Sequence, residues 1–294
     1  MQIPFFPGCT LKTSARNFEE SALAVAKQVD LELVEIPRWN CCGTVFSLTS
    51  DDLMHHVAPI RILVRVQEMI GDGLVKDEHR LVTMCSMCFN TLKRSNIRVR
   101  ENPDDLKKIN DFMDREQDYQ GTIEVVHFLE LLRENGFDQV KEKVKNPLKG
   151  LRVFPYYGCM LLRPKEAAID DPEDPSILED LISALGAKPL DSPFKKVCCG
   201  SYQTVSNKES VRDLVYDILT RAQKEGAQSM ITSCPLCAFN LDSRQQEVRE
   251  HYPELKEIPI LYFTQLMATA FGLGDEVCGF DLHFIDPKPL LKHI

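Results

Sequence analysis

The sequence predicts an α/β protein built as two similar halves, each with a small, mainly parallel sheet flanked by helices. Three observations carry this. The 294 residues are enough for two domains with a buried core each. Strand-like and helix-like segments alternate in the same order in both halves, the pattern of a parallel sheet with crossover helices. Ten of the eleven cysteines fall into two sets that follow one pattern.

The elements follow in order. A short apolar strand, Ile3–Phe6 in the first half and Leu151–Tyr156 in the second, ends at a Gly-Cys pair. A helix is predicted over Ser14–Val29, with Phe18, Ala22, Val25 and Val29 on one face. Its counterpart is Ser176–Leu185, stopped by Gly186. A second strand, Glu32–Ile36, leads into Cys41-Cys42-Gly43. A long helix around His56–Ile70 matches Ser210–Lys224, and each runs into a glycine, Gly71 or Gly226. A further strand, Arg80–Met84 or Ser229–Thr232, delivers a Cys-x-x-Cys. In open parallel sheets, functional groups gather beyond the C-terminal ends of the strands. The three cysteine groups of each half are therefore expected at one sheet edge.

The first set is Gly8-Cys9, Cys41-Cys42-Gly43 and Cys85-Ser86-Met87-Cys88. The second is Gly158-Cys159, Cys198-Cys199-Gly200 and Cys234-Pro235-Leu236-Cys237. The intervals between groups are 31 and 42 residues in one half and 38 and 34 in the other. Other residues repeat with them. Ile3–Cys9 matches Val153–Cys159, Phe89-Asn90 matches Phe239-Asn240, and His127–Leu132 matches Tyr262–Met267. A repeat of about 140 residues is too long for a solenoid and marks a duplicated domain. Lys141–Gly150 reads as the linker.

Composition narrows the function. A net charge of −9 argues against a nucleic-acid binder, although it allows a local basic pocket. No apolar run reaches the roughly 18 residues of a membrane span. The first residues lack the basic and apolar regions of a secretion signal, so a cytoplasmic location is expected. Eleven cysteines in such a chain point to metal or redox chemistry rather than a disulfide scaffold. Structural zinc takes four ligands, commonly from two Cys-x-x-Cys arms, but each half has one such arm and five thiols. A cubane iron–sulfur cluster also takes four. Neighbouring cysteines suit two metal atoms better than one, so each set looks multinuclear, with soft thiolates that fit iron–sulfur chemistry.

With its duplicated Cys…Cys-Cys-Gly…Cys-x-x-Cys motif, the chain resembles the cysteine-rich (CCG) domain of the heterodisulfide reductase B subunit, from Phe5 to about Gly274. Related domains occur in glycolate and lactate oxidation complexes, often with added ferredoxin-type cysteine segments, which this sequence lacks. The resemblance implies two pseudo-two-fold related CCG domains, residues 1–145 and 150–275, and a tail, 276–294. It implies one non-cubane [4Fe-4S] cluster held by Cys9, Cys41, Cys42, Cys85 and Cys88, and a second held by Cys159, Cys198, Cys199, Cys234 and Cys237. It implies that the clusters, not a protein acid or base, are the catalytic groups, with the substrate disulfide between them. The family's substrate is the coenzyme M–coenzyme B heterodisulfide of methanogenesis, an anaerobic process, or a related disulfide. The implied partners are the small ferredoxin-like C subunit and the flavin-containing A subunit of heterodisulfide reductase. Hydrogenase or other input subunits would supply electrons through the flavin-containing one. The alternative is an electron-transfer subunit of another CCG-domain complex with no disulfide of its own.

An anionic substrate would need positive charge nearby. Lys12, Arg16, Arg163 and Lys165 follow the Gly-Cys turns and are candidate contacts; plain surface charge also accounts for each. His55 and His56 follow the first Cys-Cys-Gly loop and could donate protons or contact substrate, or be partly exposed helix-start residues. Trp39 either shields the first cluster or packs in the core, and Cys278 reads as a small buried apolar residue. Glu101–Asp118 is expected to be a solvated helix and Asp170–Pro175 an acidic loop. The tail from Phe280 to Ile294 wraps either a partner or its own domain.

Overall fold

A computed structural model describes residues 1–44, 52–76 and 78–292. It contains two four-stranded parallel sheets with one topology. The first has β1 (Gln2–Phe6), β2 (Glu32–Glu35), β3 (Arg80–Thr83) and β4 (Glu124–His127) in the order β2-β1-β3-β4. The second has β5 (Arg152–Pro155), β6 (Lys188–Pro189), β7 (Ser229–Thr232) and β8 (Ile260–Tyr262) in the order β6-β5-β7-β8. Phe5 pairs with both Glu35 and Val82, and Phe6 with Thr83. This register levels the C-terminal ends of β1, β2 and β3, so the loops they feed leave from one edge.

The short fourth strands are the elements the sequence did not announce. Glu124–His127 and Ile260–Tyr262 are too brief to show a period of two, and each runs straight into a helix. The sequence places four helices well, those at 16–28, 57–71, 177–184 and 208–224, among the helices that follow. They are α1 (Gly8–Leu11), α2 (Arg16–Gln28), α3 (Val57–Gly71) and α4 (Ser86–Glu101). Then come α5 (Pro103–Phe112), α6 (Phe128–Asn135) and α7 (Phe137–Glu142). The second half adds α8 (Ile177–Ala184), α9 (Lys208–Lys224), α10 (Pro235–Ser243), α11 (Gln245–His251) and α12 (Phe263–Ala270). Two short turns, α13 (Asp275–Cys278) and α14 (Lys288–Leu291), end the chain.

Helix α2 buries Phe18, Ala22 and Val25, as the spacing requires. Gly186 ends α8 with φ +83, a conformation other residues rarely adopt. In the charged stretch Glu101–Asp118, Glu101 ends α4 and a separate helix covers Pro103–Phe112. Proline fits the first helical turn, where its missing N–H costs nothing, so the chain breaks at Asn102. In the acidic loop, one Asp170 carboxylate oxygen accepts from the backbone N–H groups of Ser176 and Ile177 and so starts α8. The predicted linker begins inside α7, and the N–H groups of Lys145 and Asn146 both donate to the carbonyl of Ala270.

The halves exchange packing. Helix α6, from the first sheet, lies against α8 of the second, while α12, from the second, lies against α2 of the first. Phe18 stacks flat on Tyr262 with ring centroids 4.2 Å apart and meets Phe263 edge-on. One apolar core therefore runs from Ile3 through Phe263 to Phe280, with a second cluster confined to the second half. The tail packs on its own chain. Phe280 is buried, and Asp242 accepts the backbone N–H groups of Phe284 and Ile285. Residues 293 and 294 of the tail lie outside the described residues.

Candidate metal centre

Each strand end delivers its cysteines by a different local device. Cys9 sits in the first turn of α1, immediately beyond β1. Cys41 and Cys42 lie in the loop after β2, closed by Gly43 with φ +88. Cys85 is the N-cap of α4, and Cys88 is in its first turn. The second half repeats this, with Cys234 the N-cap of α10.

Within each half the sulfurs meet in pairs. Cys9 Sγ is 3.7 Å from Cys41 Sγ, and Cys42 Sγ is 3.6 Å from Cys88 Sγ. The matching distances are 3.7 Å for Cys159–Cys198 and 3.4 Å for Cys199–Cys237. Two thiolates at about 2.3 Å from one tetrahedral metal atom lie about 3.8 Å apart, so each pair has the separation of two ligands on one metal. Among the described residues no three His, Cys, Asp or Glu side chains form the site of a single metal ion. Glycine makes the room. A Cβ on Gly8 would stand 2.9 Å from Cys88 Sγ, and one on Gly158 would stand 3.3 Å from Cys237 Sγ.

The two sets also touch. The Cys85 and Cys234 thiols lie close enough for each to shift the other's proton affinity. Beside them the Ser86 N–H donates to the Ser233 carbonyl, and the two serine hydroxyls are 2.5 Å apart. Crowded thiols share protons, which leaves thiolate character in each set. Cys42 is held well below the usual thiol range by Cys41, Cys85 by Cys234, and Cys198, at about 6, by Cys159. Metal-binding sulfur must be thiolate, so these sets suit soft metals. In the first set Cys9 and Cys41 are exposed; in the second, Cys159 and Cys198 are half-buried. Cys278 is buried near Thr269 and Gln265, where burial pushes its thiol up to about 11.

The other candidates divide. Lys12 lies between Glu19 and Glu35, 2.6 Å from each carboxylate. Arg163 is exposed and 3.6 Å from Glu173, beside exposed Lys165. Arg16 is exposed at the start of α2. His56 is not a partly exposed helix-start residue. It is buried, with Nδ1 2.8 Å from Ser95 Oγ, and burial holds its pKa down at about 4. His55 remains exposed. Trp39 is half-buried, donates to Glu35 and meets Phe6 edge-on.

Residues that sequence reasoning passed over complete the second site. The Asn240 side-chain N–H donates to the Cys199 carbonyl at 3.2 Å and faces Cys199 Sγ at 3.8 Å. Arg244 and Thr204 donate to its Oδ1. In the first half Asn90 points elsewhere, donating across the interface to the carbonyls of Met160 and Arg163. The signal was present in the sequence: Cys88-Phe89-Asn90 lacks the residue that Cys237-Ala238-Phe239-Asn240 inserts.

Two parallel α/β units, each closing five thiols at its strand ends, define a duplicated cysteine-rich redox domain. The chain belongs to the cysteine-rich (CCG) domain family, which matches residues 3–93 and 153–242. It is 32% identical to the membrane anchor subunit of the 8-methylmenaquinol:fumarate reductase of Wolinella succinogenes, over 98% of this chain and 99% of that one. It is 26% identical to the B subunit of the ferredoxin/F420H2-dependent CoB-CoM heterodisulfide reductase of Methanosarcina acetivorans, over 100% of this chain and 97% of that one. A crystal structure of a hypothetical protein from Helicobacter pylori shares the fold, with a TM-score of 0.74 at 14% identity; it covers 96% of this chain, which spans 51% of that structure. No helix among the described residues is long and apolar enough to cross a membrane.

Proposed function

We propose that this chain is the catalytic subunit of a heterodisulfide-reductase-type complex, with one iron–sulfur cluster on each five-cysteine set. The observation that supports it is the matching sulfur pairs of the two five-cysteine sets, Cys9–Cys41 and Cys42–Cys88 in one and Cys159–Cys198 and Cys199–Cys237 in the other, joined through Ser86 and Ser233. Cys9, Cys41, Cys42, Cys85 and Cys88 would hold one non-cubane [4Fe-4S] cluster, and Cys159, Cys198, Cys199, Cys234 and Cys237 the other. The units are residues 1–145 and 150–275, with 276–294 as a tail, and the complex is cytoplasmic. Reducing a disulfide to two thiols takes two electrons and two protons. Bound clusters supply electrons one at a time. The chain's own part is to hold the two sites in contact, bury the inner cysteines and leave the outer ones open to a substrate. Exposed Arg16, Arg163 and Lys165 remain available to an anionic substrate, whereas Lys12 is neutralised by two carboxylates. Electrons arrive through a flavin-containing partner and a small ferredoxin-like one.

The 32% identity to a quinol:fumarate reductase component favours a second reading, an electron-transfer subunit with no disulfide of its own. An anaerobic screen separates the two. The complex, reduced and offered coenzyme M–coenzyme B heterodisulfide, other small disulfides and protein disulfides, should release two thiols per disulfide. Release at background for every disulfide, with electrons still passing to other subunits, selects the second reading. A protein without iron sinks both.

A further inference from the structure

The two sites share a plan but not an electrostatic environment. The difference begins with one inserted residue. Counting from the N-cap cysteine of each Cys-x-x-Cys helix, the sixth position is Thr91 in α4 and Asn240 in α10. One residue is about 100° of helix rotation, so the shift decides which side chain faces the Cys-Cys-Gly loop. The Thr91 hydroxyl donates to the carbonyl of Thr44. Asn240, fully buried, instead aims its amide N–H at Cys199. Its orientation is fixed, because Arg244 has no acceptor and can only donate to Oδ1. At the tenth position the second half carries Arg244, a residue only 7% exposed whose guanidinium also pairs with Glu247 at 3.0 Å, where the first half carries Ser95. Backbone donors serve both sets: the N–H of Gly200 reaches Cys198 Sγ at 3.3 Å, with Ser201 beside it, while Gly43 and Thr44 serve Cys41 and Cys42. The Asn240 side-chain amide is the donor that the first set does not match.

An N–H donor aimed at a ligand sulfur stabilises added negative charge, which raises the potential at which a cluster accepts an electron. We infer that Asn240, held by Arg244, sets the second iron–sulfur site at a higher reduction potential than the first. A first site reduced by one electron from the proposed electron-supplying partner would then pass that electron to an oxidised second site, returning to its oxidised state as the second is reduced, with no proton taken up. The outward-facing first site, with Cys9 and Cys41 exposed, would be the donor of the pair. This rests on the proposal that both sets hold clusters.

The test is a redox titration of the anaerobically purified complex, followed by electron paramagnetic resonance and paired with iron analysis. The native protein should carry about eight irons per chain and show two one-electron midpoints. Asn240→Leu should lower the higher midpoint and leave the lower one in place, with the equilibrium between the sites moved about tenfold, or about 59 mV. Asn240→Asp keeps the shape and the Arg244 contact but loses the donor, so it should move the same midpoint in the same direction even if the leucine variant folds poorly. Thr91→Val, which removes the equivalent side chain's hydrogen bond, should move neither. Equal shifts of both midpoints, no shift, or a shift of the lower midpoint alone overturns the inference with the clusters intact. An iron count near half of that expected, or none, overturns the two-cluster reading itself and this inference with it.

Discussion

At the scale of single residues, glycine and histidine do work that composition hides. Gly8 has φ +74, and its missing Cβ leaves space for Cys88 Sγ. An L-residue there pays about 1–2 kcal/mol for the backbone alone and then crowds Cys88 Sγ. Gly8→Ala should reduce the iron taken up by the first set. Gly158→Ala, with 3.3 Å instead of 2.9 Å, should do so less at the second. Iron content and the visible absorbance of the two variants check the order. His56 gives a pH prediction. Burial, then the nearby Arg98, lowers its pKa to about 4 from the usual 6.5. The unfolded chain therefore binds the proton more readily. The stability due to neutral His56 is complete above pH 6.5 and is lost as pH falls from there to about 4. Urea unfolding across that range should show the loss, and His56→Gln should flatten it. Sequence position alone suggested a helix-start histidine; only its packing beside Ser95 shows that it is buried.

At the scale of elements, what could be read in advance depended on length. Helix α2 was legible because Phe18, Ala22 and Val25 repeat over three turns. Strands β4 and β8 were not, because four or three residues carry no period and their value lies in where the following helix starts. His127 closes β4 and caps α6 in one step. Its Nδ1 accepts from the Leu129 N–H, and Nε2 donates to the Met84 carbonyl. The helices after these strands cross between halves, and Phe18 is the contact that ties α2 to α12. Phe18→Ala should cost about 3–5 kcal/mol, typical of a fully buried aromatic. The cost should appear as one shifted unfolding transition for the whole chain, followed by circular dichroism. A variant that unfolds the first half separately from the second would contradict the shared core.

At the scale of the whole molecule, duplication has produced a single packed body rather than two beads on a string. Helix α6 needs α8, α12 covers α2, and the predicted linker is hydrogen-bonded beneath α12. Residues 1–148 expressed alone should therefore expose the apolar faces of α2 and α6, bind a hydrophobic dye and resist crystallisation. Adding residues 149–294 in trans should restore a folded complex. A stable, monomeric, dye-silent first half would refute this. The sequence by itself determined the class of fold and the repeated set of thiols. Five thiols per half and alternating strands and helices are local or counted properties, readable from a one-dimensional string. It also held the inserted Ala238, although the consequence of that residue cannot be read without a structure. Only tertiary structure decided that Cys9 pairs with Cys41 and Cys42 with Cys88, and that Ser86, beside Cys85, meets Ser233, beside Cys234. It also decided that Asn240, but not Asn90, faces a cysteine sulfur, Cys199 Sγ. These contacts join residues tens to hundreds of positions apart, and sheet register and helix rotation set them, which no periodicity in the chain records.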